Sequence, residues 1–95
     1  MYLIIGDRYT VALFKLMGFE GKVIEDPTEV LRFIEKNLEI YSAIFISSKV
    51  TKNIRKELDE IRIKTKKLVV ELPSVEEGME KEVNYLQIVR QVLGG

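Results

Sequence analysis

The stretch Tyr2-Leu3-Ile4-Ile5-Gly6-Asp7 decides the fold. A short continuous apolar run halted by Gly-Asp reads as a buried strand that turns sharply into the next element. Asp7 stands where its carboxylate can accept from a free backbone N–H and cap a helix. The helix expected over about 8–17 carries Val11, Ala12, Leu13, Phe14 and Leu16. Being apolar on most sides, it is expected to be largely buried. Gly18 then offers a left-handed exit.

The same alternation of strand and helix continues along the chain. A short second strand is expected near 22–24. It is followed by Asp26-Pro27-Thr28-Glu29, a strong helix start with a cap, proline at the first helical position and Glu29 placed to bond back. In the second helix Val30, Ile34 and Leu38 recur at i, i+4 and i+8, and Leu31 and Phe33 widen the stripe. A third strand over 43–46 is continuously apolar, as a central parallel strand should be. Ser47 or Ser48 is expected to cap a third helix with a narrow inward face of Ile54, Leu58 and Ile61. A fourth strand over 68–72 ends at Pro73, which cannot donate to a ladder. Strands alternating with helices signal an α/β fold. Short right-handed connections make a single small open parallel sheet of order 2-1-3-4, receiver-like and flanked by helices, the simplest topology. Residues 1–73 form the expected globular domain, and 74–95 a loop and C-terminal helix able to dock on a partner.

Composition narrows the chemistry. A chain of 95 residues with 46% apolar and 32% charged content is that of one folded domain. Cysteine and histidine are both absent. Disulfides and thiolate catalysis are therefore excluded, along with the usual general base near neutral pH and the commonest metal ligand. No apolar run approaches the ~20 residues that cross a bilayer, and the first residues lack the basic region of a signal peptide. The expectation is a soluble intracellular protein without direct membrane insertion. Net charge is zero, yet residues 49–67 hold eight basic side chains against three acidic ones. A solvated helix face is the plainer reading, and docking to an acidic protein partner the functional alternative. Nucleic acid is not expected, because no aromatics interleave with these basic residues.

The carboxyl ends of parallel strands, where open α/β sheets bind ligands, carry Gly6-Asp7, Asp26, Ser47-Ser48 and Pro73-Ser74. The dinucleotide fingerprint needs three glycines and finds only Gly6, and the phosphate-cradling Gly-Lys-Ser/Thr is missing. Receiver phosphorylation needs carboxylates clustered after the first strand, an acceptor Asp after the third and a Lys on a later strand end. Here those places hold Asp7 alone, Ser47, and Glu71-Leu72-Pro73. No catalytic, metal or cofactor residue is therefore assigned. The last helix, expected over about 80–93, has Met79, Val83, Leu86 and Leu93 near one stripe, widened by Tyr85, Ile88, Val89 and Val92. A face that wide either lies deep in the domain or meets a second partner such as a coiled coil.

Ile4-Ile5-Gly6-Asp7, with Thr10-Val11, Phe14, Leu16 and Gly18, resembles the N-terminal signature of the F subunit of the archaeal and vacuolar type ATP synthase/ATPase. Glu71-Leu72-Pro73-Ser74 is similar to that family's ending of strand four. Ser47, Ile54, Arg55 and the closing 88–94 segment also fall where the family has counterparts. Leu13 and Met17 depart from it, standing where smaller residues are usual. The resemblance implies a non-catalytic central-stalk rotor subunit. Such a protein docks on the coiled-coil D subunit of the stalk within the A/B hexamer, at the cytoplasmic side of the membrane, and couples ATP synthesis or hydrolysis to proton or sodium transport. The resemblance also implies stalk contacts at Val83, Leu86, Val89, Arg90 and Leu93, and a tail hinge at Pro73 and Ser74. The alternative is a divergent receiver-like regulatory binding domain without phosphorylation chemistry.

Overall fold

Two strands with uninterrupted apolar runs, β1 (Tyr2–Gly6) and β3 (Ala43–Ser47), occupy the centre of the sheet. In the computed structural model, which describes residues 1–73 and 85–93, β2 (Glu20–Val23) pairs outside β1 and β4 (Leu68–Leu72) outside β3. Every pairing is parallel and the order is β2-β1-β3-β4, as the sequence predicts. The register sets Ile5 beside Ile46 and Lys22, which aligns the carboxyl ends of the three strands.

The chain steps outward from β1 to β2, then returns past β1 to β3 and on to β4. With right-handed crossovers this reversal puts the first helix on one face and the next two on the other. α1 (Arg8–Leu16) accordingly packs with Ile4, Phe45 and Leu72 through Val11 and Phe14. α2 (Pro27–Asn37) and α3 (Arg55–Thr65) cover Leu3, Ile5, Ile44, Ile46 and Val69 with Val30, Ile34 and Leu58. Side chains such as Phe14, Phe45, Ile34 and Leu58 are almost wholly buried. Each stabilises the fold by about 1.5–3 kcal/mol relative to exposure.

Helix ends follow local chemistry. Asp26 caps α2 by accepting from the Thr28 N–H at 2.9 Å, with Pro27 in the first turn. Gly18 has φ +92 and carries the chain from α1 into β2. Two expectations are corrected. α1 is not largely buried: only Thr10, Val11 and Phe14 are, Ala12 is exposed, and Leu16 is 86% exposed. One helix laid on a sheet buries a single stripe, so residues off that stripe face outward whatever their polarity. Neither Ser47 nor Ser48 caps α3. Ser47 caps a 3₁₀ turn (Ser48–Val50), its hydroxyl accepting from the Lys49 N–H. α3 begins only at Arg55, behind Ile54, without a side-chain cap.

The last described helix, α4 (Tyr85–Leu93), lies on the α1 face. Tyr85, Ile88, Val89, Val92 and Leu93 pack there with Leu13, Met17 and Val70. The Tyr85 ring meets Phe14 edge-on at 5.4 Å between centroids, and its hydroxyl donates to the Pro73 carbonyl at 2.7 Å. Phe19 completes the aromatic cluster, edge-on to both Phe14 and Phe45. Among the described residues, α4 thus shares cover of Leu13 and Met17, while Leu16 and Ala12 stay exposed.

Candidate functional site

The strand order reverses between β1 and β3, and the crevice outside their carboxyl ends is where an α/β sheet places ligands. Here that crevice is filled from within. Gly6 lies so close to β3 that an added Cβ would sit 2.5 Å from the Ser47 Cβ. The next residue, Asp7, is only 6% exposed, and its two oxygens serve three donors. Oδ2 accepts from the Thr10 N–H at 3.1 Å. Oδ1 accepts from the Thr10 hydroxyl and from the Ser47 hydroxyl, each at 2.9 Å.

Burial alone would raise the Asp7 pKa, but the hydrogen bonds from Thr10 and Ser47 outweigh it and hold the carboxyl below its usual range. The carboxylate therefore works as a charged clamp between the start of α1 and the end of β3. Its oxygens already hold internal donors, and a carboxylate of lowered pKa is a weak base. The cavity beside it, lined by Asp7, Glu25, Lys49 and Val50, measures about 270 Å³, below the ~300–1,000 Å³ of small-molecule sites. Among the described residues, no group of three or more Asp and Glu side chains is gathered to hold a metal. Sequence reasoning placed the Asp7 cap but missed its bond to Ser47, forty residues away. It also missed Thr10, fully buried under the same carboxylate.

Three of the eight basic side chains in 49–67 are tied into the fold. Arg55 binds Glu71 with two parallel bonds, Nε to Oε2 at 3.1 Å and a terminal nitrogen to Oε1 at 2.7 Å. This pairing, foremost the Arg55 hydrogen bonds, holds the Glu71 carboxyl below its usual range. Arg62 donates to the Val69 carbonyl at 2.7 Å and pairs with Asp59. Lys67 donates to the Tyr41 carbonyl at 3.2 Å. These contacts tie α3 to β4 and to the chain ahead of β3.

Of the five positions singled out as partner contacts, α4 carries four and divides them between its two faces. Leu86, 49% exposed, and Arg90 face outward with Gln87 and Gln91. Val89 and Leu93 turn inward onto the aromatic cluster. Val83 lies outside the described residues, as does Ser74 of the hinge pair. Pro73 sits directly after β4, where its carbonyl receives the Tyr85 hydroxyl. Among the described residues, no helix is long and apolar enough to cross a membrane. The family model of the ATP synthase (F/14-kDa) subunit matches residues 3–89, from β1 into α4. Comparison with curated proteins finds no match.

Proposed function

Because the chain belongs to the family of the ATP synthase (F/14-kDa) subunit, we propose that it is a non-catalytic central-stalk component of an archaeal/vacuolar type ATP synthase. It binds the coiled-coil D subunit of the stalk on the cytoplasmic side of the membrane and turns with it inside the A/B hexamer. By that binding it couples and modulates ATP synthesis or hydrolysis with proton or sodium transport. The family match over most of the chain carries the reading. The strand-end crevice supports it, because the polar groups of Asp7, Thr10 and Ser47 there are engaged in holding the fold together.

In this proposal residues 1–73 are the globular body and 74–95 the docking element. Leu86 and Arg90, on the outer face of α4, make the first contacts with the stalk. Val89 and Leu93 can join them only if α4 lifts from Phe14 and its neighbours, with Pro73 and Ser74 setting the direction. Binding that favours one tail position would then bias the rotor by the difference in affinity between positions. The test is to mix the purified chain with the folded coiled-coil stalk protein and follow them by size exclusion with light scattering. A one-to-one complex is expected, and separate elution of two folded proteins would overturn the reading.

A further inference from the structure

We propose that the open edge of β2 is a second docking site, one that takes an extended acidic segment of a partner protein as an added strand. β2 ends the sheet among the described residues. The Ile24 N–H donates back to the Gly6 carbonyl at 3.1 Å, so the backbone polar groups of Ile24, and by alternation Lys22, are turned toward β1. Those of Gly21 and Val23 are left facing outward, a template for another strand.

Four cations straddle this edge. On the α1 face the Lys15 side chain lies over Gly21, where an added Cβ would meet its Cγ and Cδ at 2.8 Å. On the other face a groove of about 340 Å³ between β2 and α2 is lined by Lys22, Arg32 and Lys36. Lys22 sits over the Phe33 ring at 5.7 Å from its centroid. None of the four forms an ion pair with a described residue, and the groove's one carboxylate is Glu29. The half-buried Phe33 gives the groove its apolar part, while Val23, 51% exposed, alternates with Lys22 and turns to the α1 face.

The charges select the occupant. β2 itself carries Glu20, which accepts from the Tyr41 hydroxyl, beside Lys22, so the excess positive charge is that of Arg32 and Lys36 across the groove. An added strand alternating acidic and apolar residues sets its acids on the α2 face, against Lys22, Arg32 and Lys36, and its apolar side chains on the α1 face, beside Val23. The groove lies on the sheet face opposite α4, so the proposal stands or falls separately from the stalk reading.

The experiment uses the full chain and a short blocked peptide of alternating Glu and Val, with a Lys/Val peptide of the same pattern as control. Amide NMR shifts are expected to concentrate at Gly21 and Val23, with slowed hydrogen exchange of these two amides in the unmodified protein. Val23→Pro removes an outward N–H that bonds no other strand, and is expected to abolish binding. The double variant K22E/R32E, like high salt, is expected to weaken binding by about 5- to 10-fold. Unchanged exchange at Gly21 and Val23, full binding by V23P, or equal binding of the Lys/Val peptide would each overturn the proposal. Growth of a homodimer in place of peptide binding would do the same.

Discussion

Replacing Asp7 by alanine tests the clamp between β1, α1 and β3. The substitution removes a helix cap, worth about 1 kcal/mol. It also removes the acceptor of two buried hydroxyls, Thr10 and Ser47, where hydrogen bonds to a charged group contribute about 1.5–3 kcal/mol each. These contributions overlap, so we expect a loss of about 3 kcal/mol, or about 15 °C in Tm for a domain of this size. Asp7→Asn should cost only about 1 kcal/mol: its oxygen can still accept from the Thr10 N–H while its amide donates to a hydroxyl that rotates to receive it. Urea denaturation followed by circular dichroism measures both. The sign of the pH dependence follows from the lowered native pKa. The unfolded carboxyl binds its proton more readily, so the Asp7 contribution is complete above the unfolded value of about 4 and is lost as pH falls through the native value. The gap between the parent and Asp7→Asn must therefore narrow on acidification below about pH 4. A D7A cost under about 0.5 kcal/mol, the range of an inconsequential surface change, would refute the clamp, as would a gap that widens in acid.

Gly6→Ala should destabilise by about 1–3 kcal/mol, because its new methyl falls 2.5 Å from the Ser47 Cβ; an unchanged denaturation midpoint would show that β1 and β3 can part there at no cost. Arg55→Ala should cost no more than about 1 kcal/mol at neutral pH, since the arginine side chain is 58% exposed, and less at high salt. The lowered Glu71 pKa means that this contribution is present above the unfolded pKa and fades as pH falls through the native one, so acid titration of the variant should be flatter. Tyr85→Phe keeps the ring against Phe14 but removes the bond to the Pro73 carbonyl, and amide exchange in α4 should quicken by about 5-fold, the equivalent of ~1 kcal/mol. The double variant L86D/R90E should leave Tm nearly unchanged, because both side chains face outward, while weakening association with the coiled-coil stalk protein; undiminished binding would remove the outer face of α4 from the interface.

Much of the fold was legible in the sequence because its signals are local. Continuous apolar runs at 2–5 and 43–46 mark strands covered on both faces, and 68–72, broken by Glu71, marks a strand at the sheet edge. Asp7, Gly18 and Asp26-Pro27 mark boundaries by chemistry that acts within one helical turn. The third helix start was misplaced because the same hydroxyl has two uses. Ser47 reads as a cap, but in the folded chain it also donates to Asp7 and its turn is 3₁₀. The orientation of α4 was half legible. An apolar pattern wider than one stripe reveals that a helix has two neighbours or deep burial, but not which residue meets which. Val89 and Leu93 turn inward, while Leu86 and Arg90 face out.

By itself, then, the sequence determined the parallel α/β architecture, the strand order and the family resemblance at Ile4-Ile5-Gly6-Asp7, since each rests on short-range patterning and turn chemistry. It also excluded chemistry that requires cysteine or histidine, which is a matter of composition. Tertiary structure decided the rest: that Asp7 binds Ser47, that Arg55 binds Glu71, and that Tyr85 anchors α4 on Phe14 and Pro73. It also decided that the cations Lys15, Lys22, Arg32 and Lys36, from three different elements, gather about one open edge. The physical reason is common to all of these. A side chain's partners across the chain depend on the register of strands and the azimuth of helices, which are set by packing the whole domain at once.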